Sequence, residues 1–418
     1  MEKTLKYELD SRNSPDTGKS ICNMTLRGKS MKLKSIICVM LISGSLYAQA
    51  PFQLSMHSPY VRFGTTFQMW KVDGYLDPLT QISLPTAINI PFGNNFNLNI
   101  SNTPAFSWWQ PATEVLRLDG LSDTWIKGNA LLWDEHILLY AGMGIPSGRT
   151  RLDSMEYELV SQGTSRNIYR FNLPIYGQGL ILRGGAAMAL PITDRLVIGF
   201  GAQYLYRAPY YPLQYSYTYT GRDGTLFEGD LWDESYNPGN EIAAHIGLDL
   251  QVGENLKLMF DGIYTHYGTD VLNDSTHVFG SGDKLAFHFG FYYPLETNYI
   301  WGRLTFRQRG KNEILQGGNL ALENINSNGF QVELDVIGKL YEFTNGGFLV
   351  LLDGRYFEKD EYDLNEDWTV GGGVGVNYII TPTIHIDLRF KAYYGMMNWV
   401  RRRSLIGLDS HIGLTVML

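Results

Sequence analysis

Cysteine is almost absent from this sequence. The chain has 418 residues and two cysteines, Cys22 and Cys38, both close to its N-terminus. The rest of the chain therefore has no thiols to form disulfide bonds or cysteine metal sites. Its stability must come from burial and hydrogen bonding.

Charge is also scarce. Charged residues make up 18% of the chain, whereas about 25% is usual for a soluble protein. The balance is acidic, with 34 Lys and Arg against 42 Asp and Glu and a net charge of −8. Because a nucleic-acid binder neutralises phosphates with a surplus of Lys and Arg, this balance argues against a nucleic-acid partner. The 45 glycines and 13% aromatic residues make the composition too aromatic for a disordered chain.

A targeting signal is predicted near the N-terminus. From Met31 the sequence carries positive charge at Lys32 and Lys34, then an apolar run over 36–42, then small residues over 43–50. These are the three regions of a secretory signal peptide, so we predict export from a bacterial cytoplasm. The apolar run is shorter than the roughly 20 residues that a membrane-spanning helix needs, which argues against an anchor.

The chain is accordingly predicted to have three parts. Residues 1–30 are a polar leader or a wrongly assigned start, and residues 31–48 are the signal peptide. Cleavage after Ala48 is favoured over Ala50, because proline follows Ala50. Residues 49–418 form a single domain.

Period-two alternation dominates that domain, which has no run of 18 apolar residues and no long helical periodicity. In one segment, Ile384, Ile386, Leu388, Phe390 and Ala392 alternate with His385, Asp387, Arg389 and Lys391. Successive side chains of a strand point to opposite faces, so such a strand has one apolar and one polar face. The pattern predicts an all-β protein.

The lengths of the links between strands favour a membrane barrel over a soluble sandwich. Short links such as 92–94 alternate with long polar links such as 148–176 and 209–238. Transmembrane β-barrels place short turns on the periplasmic side and long loops outside the cell. We therefore predict an antiparallel outer-membrane β-barrel of about 14–16 strands. Pro85 and Pro104 favour the lower count, because a closed barrel has no edge strand on which proline is tolerated.

Two further features favour the membrane. Aromatic residues cluster near predicted strand ends, as at 108–109, 133 and 393–394, where interfacial girdles lie. The last eight residues resemble the terminal-strand signal of outer-membrane barrels, carried here by His411, Gly413, Val416 and Leu418. Leu418 stands where an aromatic residue is commoner. The resemblance implies that the barrel-assembly machinery recognises this strand.

Charged residues recur on the polar faces of several predicted strands. They are Arg303, Arg307, Glu333, Asp335, Asp353, Arg355, Asp387, Arg389 and Lys391. Inside a barrel, opposite charges pair across strands. Two interpretations stay open: a polar constriction that selects solutes, and a structural network that fills a narrow lumen.

Catalytic motifs are missing from the sequence. It contains no Gly-x-Ser-x-Gly or His-Glu-x-x-His motif, and its eight histidines show no metal-ligand spacing. We predict neither an enzyme, nor a cofactor, nor a metal site.

Three glycine-containing stretches resemble parts of two outer-membrane barrel families, the fatty-acid-transporter-like and the phenol-degradation-associated groups. These stretches are residues 120–124, 141–148 and 177–179. The resemblance implies a channel or transporter for small molecules, with hydrophobic molecules among the candidates. The alternative is a structural or partner-binding barrel, such as a secretion or surface-assembly component. The expected partners are outer-membrane lipid, the barrel-assembly machinery and a small-molecule solute.

Overall fold

The computed structural model shows an antiparallel β-sheet that closes on itself. It describes residues 58–418 with gaps at 76, 172–176, 212–214, 221–225, 232–234, 274–275, 317, 325, 360–365 and 399–401. The predicted leader and signal peptide, together with residues 49–57, lie outside the described residues.

The described residues form these strands in chain order: β1 (Tyr60–Val72), β2 (Leu79–Ser83), β3 (Thr86–Phe92), β4 (Phe96–Asn102), β5 (Pro104–Trp109), β6 (Leu116–Leu121), β7 (Thr124–Leu132), β8 (Ile137–Ile145), β9 (Ile181–Thr193), β10 (Leu196–Arg207), β11 (Tyr215–Thr220), β12 (Leu226–Leu231), β13 (Tyr236–Asn237), β14 (Glu241–Val252), β15 (Leu256–Tyr267), β16 (Thr269–Leu272), β17 (Thr276–Gly280), β18 (Lys284–Leu295), β19 (Asn298–Arg309), β20 (Glu313–Gln316), β21 (Asn319–Leu322), β22 (Gln331–Phe343), β23 (Gly346–Phe357), β24 (Asp367–Thr381), β25 (Ile384–Asn398) and β26 (Arg402–Met417). A short helix, α1 (Ser154–Leu159), continues as a π-helical turn over Val160–Thr164.

The barrel wall has 16 strands. Three of them are interrupted, so that β2 with β3, β4 with β5, and β6 with β7 each make one wall strand. The last strand pairs with the first, from Tyr60 opposite Met417 to Val72 opposite Leu405, and this pairing closes the barrel. The predicted all-β barrel is confirmed, with the higher of the two strand counts.

The two prolines that favoured a lower count lie at the interruptions of the wall. Pro85 falls between β2 and β3, and Pro104 is the first residue of β5. Proline is tolerated at the start of a strand or where the ladder breaks. The carbonyls of both residues still accept backbone hydrogen bonds, at 2.9 Å from Gly64 N and 2.8 Å from Leu84 N.

The two ends of the barrel differ. Short turns lie at the end where β1 begins and β26 ends: 93–95, 133–136, 194–195, 253–255, 296–297, 344–345 and 382–383. Longer links lie at the other end, and parts of them build a second sheet in the order β13-β16-β17-β20-β21. By the usual orientation, the short turns face the periplasm and the longer links face outside.

The outside of the wall is apolar. Large side chains that are at least 41% exposed cover it: Phe63, Phe200, Ile246, Phe289, Leu304, Leu334, Leu352, Phe390 and Ile412. Such a continuous apolar surface is unfavourable in water and suits a lipid bilayer. The protein is therefore an outer-membrane β-barrel.

The predicted aromatic girdle is correct only in part. Trp133, Tyr394 and Trp108 are exposed on the outside, but Trp109 and Tyr393 are buried on the inner face. Adjacent residues of a strand point to opposite faces, so a pair of neighbouring aromatics cannot lie wholly in a girdle. Within the described ranges, no helix has the length and apolar character needed to cross a membrane.

Candidate functional site: a segment inside the barrel

The link between β8 and β9 is residues 146–180, and its described residues, 146–171 and 177–180, enter the barrel rather than remaining outside. Its described part contacts Gln68 on β1, Asp335 on β22, Arg355 on β23 and Met397 on β25. These four side chains share the face of the wall opposite to the apolar exterior. We call this link the inserted segment. The expectation that every long link lies outside the cell is wrong at this point.

The neck of the inserted segment is tight. A Cβ on Gly148 would lie 2.8 Å from the Cα of Gly177, so the entering and leaving backbones touch. Asp123, between β6 and β7, accepts hydrogen bonds from Gly148 N at 3.1 Å and Gln178 N at 2.7 Å. One carboxylate thus ties both ends of the segment together. The three stretches that carry the family resemblance, 120–124, 141–148 and 177–179, meet here.

The helix of the inserted segment begins with a capping box. Asp153 accepts from Glu156 N at 2.8 Å, and Glu156 accepts from Asp153 N at 3.0 Å. This arrangement satisfies backbone donors that the first helical turn leaves unpaired. The helix then brings Leu159 and Val160 into the barrel, where both are almost fully buried.

Apolar packing holds the segment against one side of the wall. Its members of the cluster are Leu152, Leu159, Val160, Ile168, Tyr169 and Phe171, and the wall contributes Trp70, Val72, Leu79, Trp109, Leu116, Leu118, Phe357, Tyr393, Met397 and Leu405. The rings of Trp70 and Tyr169 lie 5.8 Å apart, and those of Trp70 and Tyr393 lie 5.1 Å apart. This cluster fills part of the interior beside β1, β6 and β25.

Arg170 joins the inserted segment to the charged wall. Its guanidinium lies 3.3 Å from Asp335, 3.4 Å from Asp353 and 3.6 Å from Glu333. Desolvation inside the barrel opposes its charge, but the three carboxylates outweigh this effect and raise the pKa of Arg170 above its ordinary value. The backbone of Arg170 has a φ of 51°, a strained conformation that persists only where surrounding contacts impose it.

The wall residues around Arg170 form an ion-pair network. Arg303 lies 3.0 Å from Asp335, Arg307 lies 2.8 Å from Glu333, Arg355 lies 3.0 Å from Asp353 and Lys391 lies 3.6 Å from Asp353. Arg355 also donates to the carbonyl of Ile168 at 2.9 Å. The network joins five cationic side chains, counting Arg170, to three carboxylates.

The structure thus brings seven of the nine charged candidates into one network. Asp387 and Arg389 form a separate pair, with an N–O distance of 2.7 Å. Sequence reasoning missed Arg170, because it lies in a long link without strand alternation. No signal in the sequence distinguished it from an ordinary loop residue.

Glycines of β24 make the contact between Lys391 and Asp353 possible. Lys391 lies on β25 and Asp353 on β23, with β24 between them. Gly373 faces the interior on β24, and a Cβ there would lie 2.7 Å from Lys391 Cγ. Since Gly373 has no side chain, Lys391 lies across the intervening strand.

Three of the four candidate residues of the terminal strand lie on β26, and Leu418 directly follows it. His411 hydrogen-bonds Thr66 at 2.9 Å, and Gly413 pairs with Gly64 on β1. Val416 pairs with Val61, and Leu418 is 74% exposed. Recognition of this strand by the assembly machinery stays a prediction.

Comparisons with known proteins give structural similarity alone. No family model matches the chain, and no curated protein matches it. A bacterial polysaccharide outer membrane secretin is 9% identical and covers 87% of this chain and 100% of its own, with a TM-score of 0.42. The OpdQ protein of Pseudomonas aeruginosa is 10% identical and covers 86% and 99%, with a TM-score of 0.36. A TodX mutant monoaromatic hydrocarbon channel is 8% identical and covers 86% and 91%, with a TM-score of 0.41. These three structures are outer-membrane barrels.

Among the described residues, no group of three or more His, Cys, Asp or Glu side chains is placed to hold a metal ion.

Proposed function

We propose that this barrel is a passive outer-membrane channel for small molecules. In this proposal the inserted segment and the ion-pair network form its constriction. The observation that carries the proposal is the segment itself, which is tied at its neck by Asp123 and held against the inner wall through Arg170. A barrel of 16 strands is wide enough to leave an aqueous channel unless something narrows it.

The chemistry of the inner wall supports this function. Charged side chains inside a narrow lumen create a field that attracts some solutes and repels others. The network around Arg170 contains five cations against three carboxylates. A fourth carboxylate, Asp409, acts on Lys391, which leaves an excess of one positive charge. This excess favours anions over cations of similar size.

Hydrophobic molecules are among the candidate solutes of this channel. The resemblance of residues 120–124, 141–148 and 177–179 to two barrel families implies such solutes. The proposed channel has no catalytic activity.

A second candidate is a barrel that binds a partner outside the cell. The sheet of β13, β16, β17, β20 and β21 supports it, because exposed apolar side chains such as Leu315 and Leu322 lie on this sheet. A barrel with this role alone needs no open lumen.

Liposome swelling separates the two candidates. The purified protein, reconstituted in liposomes, is challenged with neutral sugars and small organic anions of increasing size. A channel makes the liposomes swell at rates that fall with solute size, whereas a closed partner-binding barrel leaves them at the rate of empty liposomes. A large dextran, which a barrel of this width excludes, checks that protein insertion has not made the vesicles leaky.

Export and assembly complete the proposal. Cleavage after Ala48 would release the barrel from its signal peptide, and the machinery would fold it from the strand that ends at Leu418. N-terminal sequencing of the protein from outer membranes tests the first step.

A further inference from the structure

Two cationic side chains of the inner wall make no ion pair with any residue that the structure describes. They are Lys127 on β7 and Arg183 on β9, and the carboxylate that acts on Arg183, Glu241, already has a cationic partner. Their neighbours differ: Arg207 pairs with Glu241, and Lys257 lies 2.7 Å from Asp249. Uncompensated charge inside a barrel is unfavourable unless a ligand or water neutralises it.

The two cations lie on either side of a glycine on the inner wall. Lys127 pairs with Gly142 on β8, and Gly142 pairs with Arg183, so the three residues form one row across three strands. A Cβ on Gly142 would lie 3.3 Å from Lys127 Cγ, so the Lys127 side chain leans over Gly142 toward β9. Neighbouring strands are spaced so that the Cα atoms of Lys127 and Arg183 are about 10 Å apart. Both side chains are long enough for their charged ends to contact one small ligand on the lumen side of this row.

Arg183 is held in position by neutral groups. The Arg183 Nε and the Tyr140 hydroxyl donate to the same Gln203 side-chain oxygen, at 2.9 Å and 3.0 Å. A Cβ on Gly185 would lie 2.5 Å from the Tyr140 hydroxyl oxygen, so only glycine leaves room for this arrangement. Neutral contacts that orient a guanidinium without an ion pair of its own are the arrangement expected of a binding group.

Aromatic faces lie beside both charges. The Lys127 ammonium is 5.3 Å from the centre of the Trp125 ring, and the Arg183 guanidinium is 5.8 Å from that of Tyr140. An anion with an organic body can use the rings and the cations together. Inorganic phosphate can use only the cations.

We infer that Lys127, Gly142 and Arg183 form a binding site for the carboxylate group of small organic acids. The carboxylate accepts hydrogen bonds from both cations, and its organic body lies against Trp125 and Tyr140. This inference rests on the proposed channel function and names a class of solute for it.

The test is isothermal titration calorimetry on the full barrel in detergent, with benzoate as the probe. Benzamide, which has the same shape without the charge, and inorganic phosphate are the comparison probes. The variants are Lys127→Gln, Arg183→Gln and the double variant. Arg195→Gln is the matched control, because Arg195 is an exposed cation in the turn between β9 and β10. Heat-modifiable gel mobility shows that each variant is folded.

We expect benzoate to bind the parent protein and the Arg195→Gln control equally. Each single substitution weakens binding about tenfold, the typical value of a hydrogen bond to a charged group. The double variant and benzamide show no binding. Benzoate binding that survives in the double variant overturns the inference, as does a parent that binds phosphate more tightly than benzoate or binds no benzoate. A barrel that makes liposomes swell but does not bind benzoate overturns this site alone, whereas one that binds benzoate but causes no swelling overturns the channel.

Discussion

Arg170 shows how one side chain connects the inserted segment to the barrel wall. Its guanidinium faces Glu333, Asp335 and Asp353, while its carbonyl accepts from Gln68 at 3.1 Å. Contacts in two directions impose the strained backbone at this residue. Removal of the side chain therefore changes both the charge balance and the position of the segment.

Replacement of Arg170 by alanine is expected to loosen the segment without unfolding the barrel. The three carboxylates keep their wall partners, so we expect the free energy of unfolding to fall by about 1–3 kcal/mol. This is at the low end for a broken ion-pair network, because the Arg170 side chain is 28% exposed. Single-channel recordings should show a noisier current and a weaker preference for anions. Arg195→Ala, in an exposed turn, serves as control and should match the parent. Identical currents from Arg170→Ala and the parent would contradict the assigned role.

The two faces of a strand predict opposite outcomes for two kinds of substitution. Leu388 is 41% exposed on the lipid side, and an arginine there costs about 2–4 kcal/mol near the middle of the bilayer. Arg307→Ala removes an inward charge, and Glu333 keeps Arg170 as a partner. We expect Leu388→Arg to reduce the folded fraction on heat-modifiable gels and Arg307→Ala to leave it unchanged. The reverse result would show that the strand register is inverted.

At the scale of elements, the glycines of β24 leave space for a side chain of β25 to contact β23. Gly373 faces inward beneath Lys391, whereas Gly372 faces outward, and a Cβ on Gly372 would have no atom closer than 3.9 Å. Alanine at position 373 must displace Lys391 or the backbone of Phe390. Such overpacking lowers stability by about 1–3 kcal/mol. Alanine at position 372 fits.

We therefore expect Gly373→Ala to lower the midpoint of urea unfolding in lipid vesicles and Gly372→Ala to leave it unchanged. The pair is matched in chemistry, strand and position along the sequence. Equal midpoints for the two variants would argue that Lys391 does not lie across β24.

The terminal strand is the element that closes the barrel. β26 pairs with β25 from Arg402 to Val416 and with β1 from Leu405 to Met417. Deletion of Val416, Met417 and Leu418 removes the pairs with Val61 and Tyr60 and two outward apolar residues. We expect a lower amount of folded protein in the outer membrane, measured by fractionation and gel mobility. An unchanged amount would mean that this end of the strand matters neither for closure nor for recognition.

At the scale of the whole molecule, the sequence predicted the barrel well, because its evidence is repetitive. In β25 buried and exposed residues alternate from Asp387 to Gly395, and many other strands repeat such a pattern. The strand count was open because Pro85 and Pro104 lie inside the wall, and only the pairing of β2 with β1 and β5 shows that they mark interruptions.

The inserted segment could not be predicted in the same way. It has a short helix and irregular structure, so period-two alternation gives no signal there, and a long polar link in a barrel is ordinarily external. Its inward position depends on long-range contacts, such as those of Arg170 with β22 and β23. The charged wall residues were identifiable from alternation, but their role in a constriction is still a prediction.

The most direct measurement of the central claim compares single-channel conductance of the parent barrel with that of a variant lacking residues 150–176 in a planar bilayer. Because the backbones at Gly148 and Gly177 touch, a short glycine linker can close this excision without strain on β8 or β9. We predict a small, anion-preferring conductance for the parent and a several-fold larger, less selective one for the excised barrel. A parent that does not conduct, or two barrels with the same conductance, would contradict a channel narrowed by the inserted segment.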